Sequence, residues 1–239
     1  MPARRPLLLP IIATALFAVV CVRLGFWQLS RLEQRRAFNA QLSARLAAPP
    51  SPITALPSDT AAGHYRRVSA RGVFDYPRQV VLATRSSLGS PGVHVLTPLR
   101  LDDGTIAMVN RGWVYAPDAI TIDGAKWREH EGDSVTVRGY AETWSGRERA
   151  SLPESQRAVR ALDSSRVARL VGAPIRPYFV AQTSDSAAAA DRPVRLGEPE
   201  LAEGSHKGYA IQWFSFALVA LIGGSLLVRE ELLRRRASA

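Results

Sequence analysis

The sequence predicts a membrane protein in which two transmembrane helices flank an α+β, mainly antiparallel β, extracytoplasmic domain. Each end of the 239-residue chain carries an apolar run long enough to cross a bilayer, which takes about 20 residues. Between these runs, several short segments alternate apolar and polar residues, as half-buried strands do. We therefore divide the chain into residues 1–6, 7–27, 28–205, 206–228 and 229–239, of which the second and fourth are the membrane spans.

The first apolar run, from Leu7 to Trp27, predicts an uncleaved span. A signal peptide would have an apolar centre of about 7–15 residues followed by a cleavage site of small residues. This run is longer and ends in Val20-Cys21-Val22-Arg23. We expect Arg23 to extend to the lipid headgroups, and the alternative is that it pairs with an anionic ligand between the spans.

Good helix formers continue from Leu29 to about Ala47 and predict helical structure that ends at Pro49-Pro50. Later in the chain, Asp163 can cap a short helix that has Gly172 just after its end. The polar stretch between Trp144 and Val159 is predicted to be a loop.

Strand patterns fill most of the central domain and predict an antiparallel sheet or a small barrel. Asp102-Asp103-Gly104 is a turn signal, so the segments on either side of it should pair as a hairpin. Val194 to Leu196 can add a pairing at an edge. The predicted strands are Tyr65 to Phe74, Arg78 to Arg85, Val93 to Leu101, Thr105 to Tyr115, Ser134 to Trp144 and Tyr178 to Thr183.

The second span carries no charge from Tyr209 to Val228. One helix face bears residues at the spacing i, i+3, i+4 and i+7, namely His206, Tyr209, Ala210 and Trp213. Such a face suits a cofactor or a partner helix, and it equally suits the aromatic belt of an ordinary span. Ala220 and Gly224 are small residues that would either pack the two spans together or form a homo-oligomer.

The charges beside the second span predict its orientation. Four arginines follow it, at positions 229, 234, 235 and 236, whereas Lys207 lies close to its start. Cationic residues favour the cytoplasmic side, so both termini should be cytoplasmic and the domain periplasmic. We therefore expect a multi-pass protein of the inner (plasma) membrane, with the lipid bilayer as a partner. Because the densest cations flank the spans, the net charge of +10 does not indicate a nucleic-acid partner.

The sequence contains none of the motifs that mark common enzyme classes: G-x-S-x-G, H-E-x-x-H, G-x-x-x-x-G-K-[ST] or G-x-G-x-x-G. Its single cysteine, Cys21, excludes an intrachain disulfide and a paired-thiolate metal site. The four histidines are scattered singly. We expect His94 to be packed in or beside a strand, and His64 and His130 to be solvated. These observations favour a non-enzymatic protein.

Asn110-Arg111-Gly112-Trp113 is the most distinctive tetrad of the central domain. The glycine permits a bulge or a close backbone approach at a strand end. The arginine supplies a planar set of five donors, and the tryptophan supplies a large apolar face. Both a structural corner and an anion-binding corner would use these parts, and the structural corner is the favoured interpretation.

Three stretches together resemble the Surfeit locus protein 1 family of cytochrome c oxidase assembly factors. They are Leu24 to Arg31, Val109 to Val114 and His206 to Phe214, and their order along the chain matches the family. The matching residues are Gly25, Trp27, Gln28 and Arg31 in the first, Arg111, Gly112 and Trp113 in the second, and His206, Tyr209, Ala210 and Trp213 in the third. The family often has Asn just before the histidine, where this chain has Gly204-Ser205.

This resemblance implies a protein that delivers haem a to, or stabilises it in, oxidase subunit I, with haem A synthase as a further partner. His206 would be the iron ligand, while Tyr209 and Trp213 would pack on the porphyrin and Arg23 and Arg31 would pair with its propionates. The alternatives are a scaffold that docks onto the oxidase without binding haem and, less favoured, a membrane-anchored periplasmic hydrolase.

Overall fold

The computed structural model describes residues 8–124, 132–147, 152–183 and 193–237. The chain divides into two compact units, Met1–Leu42 with Leu201–Ala239 and Ser43–Glu200. The first contains the long apolar helices, and the second contains the strands. The expectation for His130 concerns a residue outside the described ranges.

The described helices are α1 (Leu8–Ala47), α2 (Thr60–Gly63), α3 (Ser164–Val171) and α4 (His206–Ala237). As predicted, α1 and α4 are long and apolar enough to cross a membrane. The helical pattern predicted from Leu29 to about Ala47 is confirmed, and it continues the first span without a break, since α1 is one helix of 40 residues. It continues because neither Gly nor Pro occurs between Gly25 and Pro49 to interrupt it.

The six predicted strand segments all form strands, with ends shifted by at most a few residues. In the described part of the chain the strands are β1 (Ser51–Pro52), β2 (Arg67–Phe74), β3 (Val80–Ser87), β4 (Ser90–Leu101), β5 (Ile106–Tyr115), β6 (Ser134–Thr143), β7 (Ala158–Val159) and β8 (Tyr178–Gln182). The short strands β1 and β7 were not predicted, and β7 and a 3₁₀ turn at Glu154–Gln156 lie where a loop was expected.

Five of these strands form a closed ring of pairings: β2 with β6, β6 with β8, β8 with β5, β5 with β4, and β4 with β2. The pairing of β5 with β8 is parallel, and the other four are antiparallel. The central unit is thus built on a small, mainly antiparallel barrel, the second of the two predicted arrangements.

Alternate residues of all five ring strands meet in one buried cluster. Among them are Val68, Leu99, Val109, Val137 and Val180, one from each strand. Since side chains of a strand alternate between its two faces, this cluster fills the inside of the ring.

The short helix α3 covers the outside of the ring, where Val167, Leu170 and Val171 pack with apolar residues of β3, β4, β5 and β8. Both of its predicted ends are confirmed. The Asp163 carboxylate accepts from the backbone N–H groups of residues 165 and 166, and Gly172 ends the helix with a left-handed φ of 76°.

Candidate functional site

His206 is the first residue of α4, and its imidazole contacts α1. The His206 Nδ1 atom lies 2.9 Å from the Oε1 atom of Gln28. An amide oxygen only accepts hydrogen bonds, so the imidazole donates from Nδ1–H. Gln28 is buried and His206 is half-buried. The structure therefore joins a residue of the first motif to a residue of the third.

The segment that precedes His206 is hydrogen-bonded to α1, and we call residues 201–205 the strap. Arg36 donates from Nε and Nη2 to the two carboxylate oxygens of Glu203, at 2.8 and 3.0 Å. This hydrogen bonding and the charge of Arg36 lower the pKa of Glu203. A two-point guanidinium contact fixes direction as well as distance, so it holds the segment just before α4 against α1. Two further contacts are Asn39 Nδ2 to the Leu201 carbonyl at 2.9 Å and Arg35 Nε to the Ala202 carbonyl at 3.0 Å.

Gly204 lies beside the other ring nitrogen of His206. Its backbone is left-handed, with a φ of 71°, which glycine adopts without strain and Asn more readily than most other residues. A Cβ at this position would lie 3.8 Å from Nε2 of His206. Gly204 therefore keeps the backbone that an Asn would also accept, and residue 204 itself places no side chain beside Nε2.

The helices α1 and α4 pack against each other through small residues, along a line that we call the seam. A Cβ on Gly25 would be 2.6 Å from the ring of Phe214, and a Cβ on Gly224 would be 2.7 Å from the Thr14 side chain. The seam therefore uses Gly224 to pack the two helices together. Because the beginning of α1 meets the later part of α4, the pair is antiparallel. Other buried seam residues are Ala18, Cys21, Ala210 and Ala217.

Only part of the predicted face of α4 lies in the seam, and the rest lies beside it. Ala210 is buried in the seam, whereas Trp213 is half-buried and Tyr209 is 49% exposed. Trp213 meets Phe216 edge to face, with ring centroids 5.9 Å apart. Tyr209, Trp213 and Phe216 follow His206 over the next three turns or so, and we call them the aromatic flank.

The predicted cationic residues of α1 differ in their relation to Gln28. Arg31 is one turn after Gln28 and exposed, and its Nη1 donates to the Oε1 of Gln34 at 2.9 Å. Arg23 is also exposed but lies about 140° around the helix from Gln28. Trp27 is exposed too. The structure thus brings Arg31, and not Arg23, near the face that carries Gln28.

In the central unit, the side chain of Arg111 is completely buried. Its Nη1 atom lies 3.2 Å from Oε1 of Gln79 and 3.4 Å from Oγ1 of Thr97. The guanidinium also lies over the rings of Phe74 and Tyr76, at 5.3 and 5.2 Å from their centroids. Because the side chain is enclosed in this way, its position fits a structural corner better than an anion site open to solvent.

Gly112 lies in a β-bulge between β4 and β5. His94 pairs with Trp113 and Leu96 with Asn110, so two residues of β5 oppose one residue of β4. Gly112 has a φ of 121°, and a Cβ would lie 2.1 Å from the carbonyl oxygen of Val194. Trp113 and Val194 exchange two backbone hydrogen bonds of 2.8 Å, which confirms the predicted edge pairing.

His94 is packed against β5, as predicted. Asn110 donates from Nδ2 to the Nδ1 atom of His94 at 3.2 Å. Burial, with a smaller contribution from the positive charge of Arg85, lowers the pKa of His94 to about 4. His94 is therefore neutral in the folded protein near pH 7.

The expectation that His64 is simply solvated was wrong. The His64 imidazole bonds to the carboxylate of Glu142 and stacks on Tyr65, with ring centroids 3.6 Å apart. Sequence position gives no sign of a partner 78 residues away. Within the described ranges there is no group of three or more His, Cys, Asp or Glu residues that could hold a metal ion.

Comparison with known proteins identifies the family. A SURF1-like protein of Rickettsia bellii is 24% identical over 229 residues, which is 92% of this chain and 89% of the relative. An uncharacterized SURF1-like protein of Mycobacterium tuberculosis is 26% identical over 236 residues, covering 94% of this chain and 86% of the relative. Surfeit locus protein 1 of Mus musculus is 33% identical over 106 residues, which is 38% of this chain and 35% of the relative. The family model described as SURF1 family matches residues 15–218, so the chain belongs to the SURF1 family.

Proposed function

We propose that this protein assists the assembly of cytochrome c oxidase by holding haem a on its way to subunit I. The family is known generally for cytochrome oxidase assembly factors, which supports the oxidase as the system served. The haem part of the proposal rests on the residues around His206.

The single observation that carries the proposal is the state of the His206 ring. In the neutral ring, Nδ1–H donates to Gln28, and the other nitrogen, Nε2, retains its lone pair. A neutral imidazole nitrogen is a standard axial ligand of haem iron. When bound, the haem would supply the iron that this nitrogen ligates, and the protein would supply a fixed ligand and an apolar surface.

Because the seam is closely packed, we propose that the haem lies beside the two helices and not between them. At the level of Gly25 and Phe214 no side chain fits between them, so a porphyrin could not enter there. The aromatic flank provides a partly exposed apolar surface next to His206. Arg31 is the better placed of the two predicted propionate partners, because it follows Gln28 by one turn.

We further propose that the protein spans the inner membrane with both termini cytoplasmic and the barrel periplasmic. The antiparallel pair brings the beginning of α1 and the end of α4 to the same side, which supports this topology. The arginines at positions 229 and 234–236 support the cytoplasmic assignment. Subunit I, haem A synthase and the lipid bilayer are the proposed partners.

A scaffold that docks onto the oxidase without haem is the second candidate, and one observation favours it. Leu88, at the tip of the hairpin between β3 and β4, is completely exposed and has a left-handed φ of 48°. A large apolar side chain held in this uncommon backbone conformation at an exposed tip suits contact with another protein.

The test is the visible absorption spectrum of the full chain, purified in detergent after co-expression with the haem a pathway. We expect bound haem a in the wild type, its loss in His206→Ala and its retention in His64→Ala. Unchanged haem content in His206→Ala would remove this ligand from the proposal. Full haem occupancy and activity of the oxidase in cells lacking the protein would contradict the assembly role.

A further inference from the structure

Gln28 projects from the face of α1 that packs on α4. Cys21 and Leu32, seven residues before it and four after it, are buried on the same face. A buried amide without a partner would cost roughly 1–3 kcal/mol, so Gln28 needs a hydrogen bond here. The partner that the structure provides is the imidazole of His206, 2.9 Å away.

We infer that Gln28 is a positioning residue, which holds His206 in the Nδ1–H tautomer and so keeps Nε2 free to bind a ligand. The inference rests on the proposed function, in which that ligand is haem iron. A neutral imidazole carries one proton on either nitrogen, and the protonated nitrogen cannot coordinate a metal. Because the Oε1 atom of Gln28 accepts from Nδ1–H, the proton is kept away from Nε2.

The strap and Gly204 complete this arrangement. Arg36 and Glu203 fix the backbone that leads into His206, while Gln28 fixes the ring itself. Gly204 has no side chain to cover Nε2, which would lie 3.8 Å from a Cβ at that position. The ring is thus held by Gln28 at Nδ1, and residue 204 has no side chain to cover Nε2.

The chemical type of residue 28 also sets how strongly His206 binds. In many metal sites a carboxylate accepts a hydrogen bond from the N–H of the metal-bound imidazole and makes the ligand more basic. The neutral amide of Gln28 accepts the same hydrogen bond without adding negative charge. His206 is therefore correctly oriented but is a weaker ligand than a carboxylate-supported histidine, which suits a protein that must release its cargo.

The experiment compares Gln28→Leu, which removes the acceptor, with Gln28→Glu, which keeps the shape and adds a charge. The matched control is Gln41→Leu, since Gln41 is an exposed residue of α1 that lies outside the three motifs. All variants are full chains in lipid nanodiscs at pH 8. In haem-free protein the ¹⁵N shifts of His206, assigned with His206→Gln, report the tautomer. In haem-loaded protein, the rate of haem a transfer to excess apomyoglobin reports the strength of binding.

We expect only the Nδ1–H tautomer in the wild type and in Gln28→Glu, and a mixture of tautomers in Gln28→Leu. The transfer rate should rise about 10–100-fold in Gln28→Leu, the usual effect of losing such a partner, and should fall in Gln28→Glu. The iron to imidazole stretching frequency should increase in Gln28→Glu. The control should match the wild type throughout.

The failures of the two proposals are distinguishable. If haem binding depends on His206 but Gln28→Leu transfers haem at the wild-type rate, the role of Gln28 is overturned. The proposed function would then remain intact. A wild-type protein that takes up no haem would overturn both. If Gln28→Leu does not fold, Gln28→Glu decides alone: slower transfer supports the inference, and an unchanged rate with an unchanged stretching frequency overturns it.

Discussion

The ring of Phe214 lies against Gly25, so closely that one added Cβ would meet its Cε1 atom at 2.6 Å. Phe26 meets the same ring edge to face, with centroids 5.3 Å apart. In lipid, helices associate mainly through such packing because the surrounding solvent is equally apolar. The glycine of the first motif is thus required for contact between the helices, one turn from the residue that holds His206.

Gly25→Ala should separate the two helices. Overpacking of this kind typically costs about 1–3 kcal/mol, and we expect a lower melting temperature of the full chain in detergent. Haem retention should fall with it, since Gln28 and His206 would move apart. Gly208→Ala is the control, because a Cβ there meets nothing within 4 Å. Equal melting temperatures for the two variants would contradict the close contact.

Gly112→Ala should destabilise the barrel more than Gly104→Ala. Both glycines have positive φ, 121° and 80°, which costs an alanine about 1–2 kcal/mol. Only at Gly112 would the new Cβ also collide with a backbone oxygen, that of Val194. The additional loss should be at least about 1 kcal/mol, measured by denaturant unfolding of the full chain. Similar losses in the two variants would mean that the bulge tolerates a side chain.

Local chemistry was enough to predict the ends of α3, because Asp163 and Gly172 each bond to backbone groups only a few residues away along the chain. The alternation of apolar residues likewise located six strands. Closure of the ring was harder, since it depends on the pairing of Gly72–Phe74 with Leu99–Leu101. A pattern of alternation shows which side of a strand is buried, but it does not show which strands meet.

The candidate site was predicted in part. The motifs identified both His206 and Gln28, yet their contact depends on how two helices are rotated against each other. That rotation follows from small seam residues such as Gly25, whose partners are far away in sequence. The ion pair of Arg36 and Glu203 was missed because α1 has several similar arginines, and nothing local shows which of them meets Glu203.

Glu203→Gln should loosen the strap. The Arg36 hydrogen bond lowers the pKa of Glu203, so the ion pair is present above a pH of about 4.5, the ordinary glutamate pKa, and is lost as the pH falls further. The variant removes the charge at pH 7, and we expect faster amide hydrogen exchange in a peptide covering residues 201–209. Glu200→Gln is the control, because Glu200 is exposed and lies outside the strap. Identical exchange in both would show that the ion pair does not hold the segment.

His94 should make the barrel sensitive to acid. Its pKa is about 4 when folded and about 6.5 when unfolded, so the unfolded chain binds the additional proton between these values. Stability should therefore fall as the pH decreases from 6.5 to 4, by on the order of 2 kcal/mol. Protonation of Nδ1 would also break the bond donated by Asn110. We expect His94→Gln to lose less stability than the wild type between pH 7 and pH 4.5, as measured by guanidinium unfolding midpoints, and parallel losses would show that other groups cause the acid sensitivity.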